Sequence, residues 1–190
     1  MPRRPGLDQR ILVSAAADLA DEGGLELVTI ASLAARLNVR PPSLYNHIES
    51  AGELHHQLTL FALRSLCDAA SRAAVGRNGP GGVMAVANVY REFAQRHPGL
   101  YGATLRAAPP GDAAMQRIST EFLDIMRAVL VPFDLGETGL IHAVRGFRSV
   151  VHGFVSLEAA HGFGLPQSID DSFHFVIRSF IQGLGVRSDA

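Results

Sequence analysis

Apolar residues recur at three- and four-residue spacing along most of the chain, and clusters of Gly and Pro interrupt them in the way that ends helices. Strand-like alternation is nearly absent, so the fold class is all-α. The first helix is expected from about Leu7 to Glu22: Asp8 stands near its start, Ile11, Ala15 and Leu19 share a face, and Gly23-Gly24 supplies a left-handed stop. Thr29 is a good N-cap for a second helix over Ile30 to Leu37, because its hydroxyl accepts from N–H groups that lack a partner inside the helix. Asn38 tolerates the left-handed turn that follows, and Pro41-Pro42 sits where a third helix, carried to about residue 48, begins without losing a needed donor. Longer helices are expected over roughly 53–75, 83–97, 98–107, 112–130, 137–161 and 169–184, with strong punctuation between them. The predicted organisation is an N-terminal three-helix unit at residues 1–50 and a bundle of about six helices at 51–190, sharing the helix that begins near residue 53.

Residues 29–48, TIASLAARLNVRPPSLYNHI, give two short helices joined by a tight turn. Ile30, Leu33, Ala34 and Leu37 face inward from the first and Leu44 and Ile48 from the second, and small Ala34 permits a close crossing. This is the spacing of a helix-turn-helix, whose second helix lies in a major groove while the first braces it against the backbone. Read from pattern alone, a purely structural helical hairpin remains the alternative.

The run AxxLAxxLxVxxxxLYxHI, with the paired Leu44-Tyr45 and with His47, resembles the DNA-binding segment of TetR-type regulators over most of residues 7–54. That resemblance implies a recognition helix near residues 41–48, with Pro41 at its start and Ser43 and Asn46 toward base edges, where Asn pairs with adenine and Ser with several partners. Tyr45 and His47 would hold phosphates, Arg40 would reach a phosphate or a guanine, and Thr29 would offer a helix N-terminus to the backbone. Arg3 and Arg4 would either reach an adjacent minor groove or form a disordered basic arm with no fixed contact. Many members of the family carry a Lys near the start of the fourth helix, where this chain has Glu49-Ser50-Ala51-Gly52-Glu53.

Charge sharpens that departure. The chain contains no Lys, and its formal net charge is −1, so attraction to DNA rests on local placement of Arg, backbone amides and hydroxyls, with a shallow salt dependence expected. The missing Lys also sustains an alternative, a helical protein-interaction module that has lost specific DNA binding. Met1 to Leu7 holds two arginines but no apolar run follows it, and no later run has the length of a bilayer span free of charges, so a soluble, cytoplasmic protein is expected. Cys67 falls in an apolar helical run and reads as a buried thiol. Histidines 55, 56, 97, 142, 152, 161 and 174 show no metal-ligand spacing, and no cofactor loop or nucleophile–base set is visible, so neither a metal, a cofactor nor an enzymatic activity is expected. Asp21-Glu22 and Asp170-Asp171 read as helix-end or solvated-turn charges.

Residues 145–175, together with HPGLY at 97–101, resemble the C-terminal regulatory domain of a TetR subgroup called the WHG domain, although this chain has no Trp. The last two helices are apolar on more than one face, which predicts a homodimer paired through Val151, Phe154, Val155, Phe173, Val176, Ile177, Phe180 and Ile181. Such a dimer would set two recognition helices one duplex turn apart, roughly 34–36 Å, or a multiple of it, on a two-fold double-stranded operator. The family implies a pocket for a small effector, expected to be largely apolar, among Leu63, Tyr90, Phe93, Tyr101, Met115, Phe122, Met126, Phe147 and His152. The function so implied is that of a ligand-responsive transcriptional repressor.

Overall fold

The helix boundaries follow from chemistry near each end. The computed structural model describes residues 7–185, and among them finds nine α-helices, two single 3-10 turns and no strand. They are α1 (Gln9–Gly23), α2 (Ile30–Leu37), α3 (Pro41–Leu44), α4 (Ala51–Ala74), α5 (Gly79–Arg96), α6 (Pro98–Ala103), α7 (Ala113–Leu130), α8 (Gly136–Ala159) and α9 (Ile169–Leu184), with 3-10 turns at Leu25–Leu27 and Val131–Phe133. Asp8 caps α1 by accepting from the Ile11 N–H at 2.9 Å, and that hydrogen bond holds its carboxyl below the usual range. Ser168 caps α9 through the Asp171 N–H, and the acids Asp170 and Asp171 occupy the first turn, where the helix dipole favours them.

Two helices stop short of their expected ends. The third ends at Leu44 rather than near residue 48, because the Leu44 carbonyl accepts from both His47 and Ile48 and the chain tightens into a turn. Leu44 and Ile48, 0% and 2% exposed, anchor that turn. The sixth ends at Ala103 rather than Ala107, because the Thr104 hydroxyl and N–H both go to the Tyr101 carbonyl. Conversely, α5 begins at Gly79, inside the stretch expected to be pure punctuation, with Pro80 in its first turn, where a missing N–H costs nothing.

The described chain forms two compact units, one holding the residues up to Ser65 together with Arg96–Met115, the other Leu66–Gln95 with the residues from Gln116 onward. The first is therefore larger than the unit at residues 1–50 read from the sequence, since α6 belongs to it. In this unit α6 lies against the end of α1. A Cβ on Gly99 would stand 2.0 Å from the Ala20 carbonyl oxygen, so only glycine allows the two backbones to meet. Asp21 then caps α6 from outside: its Oδ1 accepts from the N–H groups of Gly99 and Leu100, both at 3.1 Å, and its Oδ2 lies 2.7 Å from His97 Nδ1. Glu22 pairs with Arg36 of α2. The adjacent acids expected to be solvated helix-end charges thus each hold a different neighbour.

The second unit is built around Arg91. Its guanidinium makes paired hydrogen bonds to Glu158, 2.9 Å from Nε and 2.5 Å from Nη2, and contacts Asp170 at 2.8 Å. The faces of Phe154 and Phe173 lie 5.6 and 4.9 Å away. One arginine therefore ties α5 to both α8 and α9, and its hydrogen bonds to Glu158 raise the guanidinium pKa against the opposing effect of burial.

The residues expected at a dimer interface are largely consumed by this core. Val151, Val155, Phe173, Ile177 and Ile181 are buried within the unit itself. The Phe180 ring packs 6.3 Å from that of Phe147 and closes on Gly146, and Phe154 stacks with Phe163 and Phe173. Val176 is half-buried. The apolar stripes of α8 and α9 meet each other, and what these helices and their loop leave outward is Leu157, Leu165 and Phe175, which are 53%, 79% and 68% exposed. Cys67 is buried, as expected.

Candidate nucleic-acid interface

The second helix starts from a reciprocal cap. The Thr29 hydroxyl accepts from the Ser32 N–H, and the Ser32 hydroxyl oxygen accepts from the Thr29 N–H, each at 3.0 Å. Ser32 also donates to the Leu27 carbonyl at 2.5 Å, which ties the cap to the preceding 3-10 turn. With Thr29 so occupied, the groups this end can offer a phosphate are the first-turn N–H groups of Ile30 and Ala31, which no helix carbonyl can take. Ser32 escaped the sequence reading, although its position three residues after Thr29 was the signal for a capping pair.

Asn38 follows in the left-handed region at φ 53°, and the Val39 N–H returns to the Ala34 carbonyl, which gives the sharp turn between the helices. Arg40 is extended and exposed, Pro41 and Pro42 are exposed at the start of α3, and Asn46 is exposed just beyond it. Tyr45 is 55% exposed although it adjoins fully buried Leu44. Ser43 and His47 are half-buried. The turn thus presents Arg40, Pro41, Tyr45 and Asn46 outward, while Leu33, Leu44 and Ile48 hold it from within. Arg36, in the last turn of α2, is turned to Glu22. Arg3 and Arg4 lie outside the described residues.

The residues expected to line an effector pocket fall into both units. In the first, Tyr101 and Met115 are buried and Leu63 is half-buried. In the second, Tyr90 meets the rings of Phe122 and Phe147 edge-on at 6.3 and 6.1 Å, and Phe93 and Met126 are buried. His152 is half-buried, with Nδ1 3.3 Å from the Ser156 hydroxyl. Burial raises the pKa of the Tyr90 phenol, and the charge of Arg148, together with a hydrogen bond to it, offsets part of that rise.

Residues 83–180 match the family described as the tetracyclin repressor-like C-terminal domain. The chain is 36% identical over 185 residues to YobS of Bacillus subtilis, an uncharacterised HTH-type transcriptional regulator, with 97% of this chain and 96% of that protein covered. It belongs to the TetR family of transcriptional regulators. A second HTH-type regulator, from Mycobacterium tuberculosis, is 31% identical over 86% of this chain and 74% of its own length. Solved structures agree with the TetR fold. A protein of unknown function from Rhodococcus sp. RHA1 superimposes with a TM-score of 0.80 at 20% identity, covering 98% of this chain and 100% of that one. A TetR from Streptomyces coelicolor gives 0.70 at 21% identity, covering 94% and 98%. A TetR variant from Acinetobacter baumannii, solved in complex with minocycline, gives 0.61 at 21% identity, covering 93% and 96%. As a TetR-family member the chain is a DNA-binding regulator of transcription, and the family match spans both Arg91 and its partner Glu158.

Proposed function

We propose that this TetR-family regulator is a cytoplasmic, homodimeric repressor that holds a two-fold operator through residues 40–47 and releases it when a small, largely apolar effector binds the C-terminal helices. The supporting observation is the outward set Arg40, Pro41, Tyr45 and Asn46 on a turn anchored by buried Leu44 and Ile48. The minocycline complex of a structural neighbour supports a small-molecule effector. An effector acts only through its difference in affinity for the DNA-competent and DNA-incompetent states.

Fluorescence anisotropy with DNA from upstream of the protein's own gene, against scrambled DNA of equal length, tests this reading. Preference for the native fragment by about a thousandfold marks a specific regulator. Equal weak binding to both favours a protein-interaction module without specific DNA binding. Tyr45→Ala is expected to weaken operator binding at least about tenfold while leaving the dimer intact. Full retained affinity would remove Tyr45 from the interface.

The dimer is assigned to the outward faces of α8 and α9. Phe175→Glu is the direct probe, because that side chain is 68% exposed, whereas charging Phe180 would also disturb its packing on Phe147 and Gly146. The dimer dissociation constant is expected to rise at least about tenfold in sedimentation equilibrium. An unchanged mass at micromolar protein would place the interface elsewhere.

A further inference from the structure

We propose that Asp21 is a positioning residue for DNA binding: by fastening α6 to the end of α1 it fixes the helices that carry the operator-binding turn, without itself belonging to that turn. The inference rests on the reading of residues 40–47 as the DNA interface.

Three features place Asp21 in this role. Its carboxylate takes the N–H groups of Gly99 and Leu100, first-turn donors for which α6 itself has no acceptor, while Oδ2 engages His97 at the same helix start. The contact is close by construction, since Gly99 leaves no room for a side chain against the Ala20 carbonyl. And the turn of α1 that bears Asp21 leads directly to the interface. Glu22 pairs with Arg36 in the last turn of α2, and Gly24 returns its N–H to Ala20. The 3-10 turn after Gly24 runs through Val28, 1% exposed, into the Thr29–Ser32 cap. The end of α1 is thus held by α6 through Asp21 and by α2 through Glu22.

Asp21 is therefore not interchangeable with an ordinary helix-end acid. Alanine removes the acceptor. Asparagine keeps an oxygen for the two N–H groups while losing the charge and turning the oxygen beside His97 into an NH2 donor, so it separates the cap from the charge and from the His97 contact.

The test measures operator affinity of the full-length dimer well below its melting temperature, with amide hydrogen exchange on the free protein. Asp21→Ala is expected to weaken operator binding about tenfold with dimer mass and helicity unchanged, and Asp21→Asn to restore most of it. In exchange, the amides of Gly99 and Leu100 and those of α2 should accelerate together in Asp21→Ala. Wild-type operator affinity in Asp21→Ala, or acceleration confined to α6, would overturn the proposal. Should Asp21→Ala not fold, Asp21→Ser, whose shorter side chain withdraws the acceptor from the Gly99 and Leu100 amides, replaces it in both measurements, and unaltered affinity with unaltered α2 exchange then overturns it. If the wild-type protein binds no DNA specifically, the functional reading fails, and the exchange experiment still decides whether Asp21 couples α6 to α2.

Discussion

Glu158→Ala should lower the unfolding free energy by about 3 kcal/mol or more, because it strips the principal partner from a buried cation. The Arg91 side chain is 11% exposed, and Glu158 supplies two of its hydrogen bonds. Asp170 cannot substitute, since it reaches only one nitrogen and its side chain is 75% exposed, where water screens the pair. The guanidinium would remain against the rings of Phe154 and Phe173 with one solvated acid for company. Asp170→Ala is the matched control and should cost less than about 1 kcal/mol. Chemical denaturation of the two variants at the same protein concentration gives the comparison, and equal losses would mean that Arg91 is not held chiefly by Glu158.

Gly99→Ala is the second large effect, and its sign runs against helix propensity. Within a helix the change ordinarily gains up to about 1 kcal/mol. Here the new methyl would lie 2.0 Å from the Ala20 oxygen and 2.2 Å from its carbonyl carbon, both rigid backbone atoms. Separating α6 from α1 by the required distance also loosens the Asp21 cap, so a destabilisation of about 3 kcal/mol or more is expected. Gly102, in the same helix, meets nothing nearer than Leu25 Cδ1 at 3.9 Å, and Gly102→Ala should be neutral or stabilising by less than about 1 kcal/mol. Thermal unfolding of the pair distinguishes a steric cause from propensity, and a stable Gly99→Ala would contradict the close approach.

Local chemistry made much of the fold legible in advance. The bounds of α2 and α9 match the expected ones, since Thr29 and Asn38 delimit the one and Ser168 and the final glycines the other. Where two signals compete within a few residues, as at Leu44 and Thr104, pattern overestimates the helix, because a carbonyl shared or captured by a hydroxyl is invisible to periodicity. The residues expected at the dimer seam show a different limit. A helix with apolar residues on two faces must bury both, but spacing does not say which face meets the same chain, and here the stripe through Val151, Phe173 and Ile177 does so. The Asp21 cap lies beyond any local rule, since its partners are 76 to 79 residues away. The outward residues Arg40, Pro41, Tyr45 and Asn46 came from the resemblance to TetR-type regulators, whereas the pattern itself supplied the inward pair Leu44 and Ile48, which are buried.

The discontinuity of the first compact unit bears on chimera design. Joining the N-terminal segment to another regulator's sensor at residue 50 would transplant α1 without the helix that seats on it, exposing the Ala20 backbone and leaving Asp21 with no amides to cap. A functional graft must carry residues 96–115 with the N-terminal segment, or take from the donor a stretch with glycine at the position of Gly99 and an acceptor facing it.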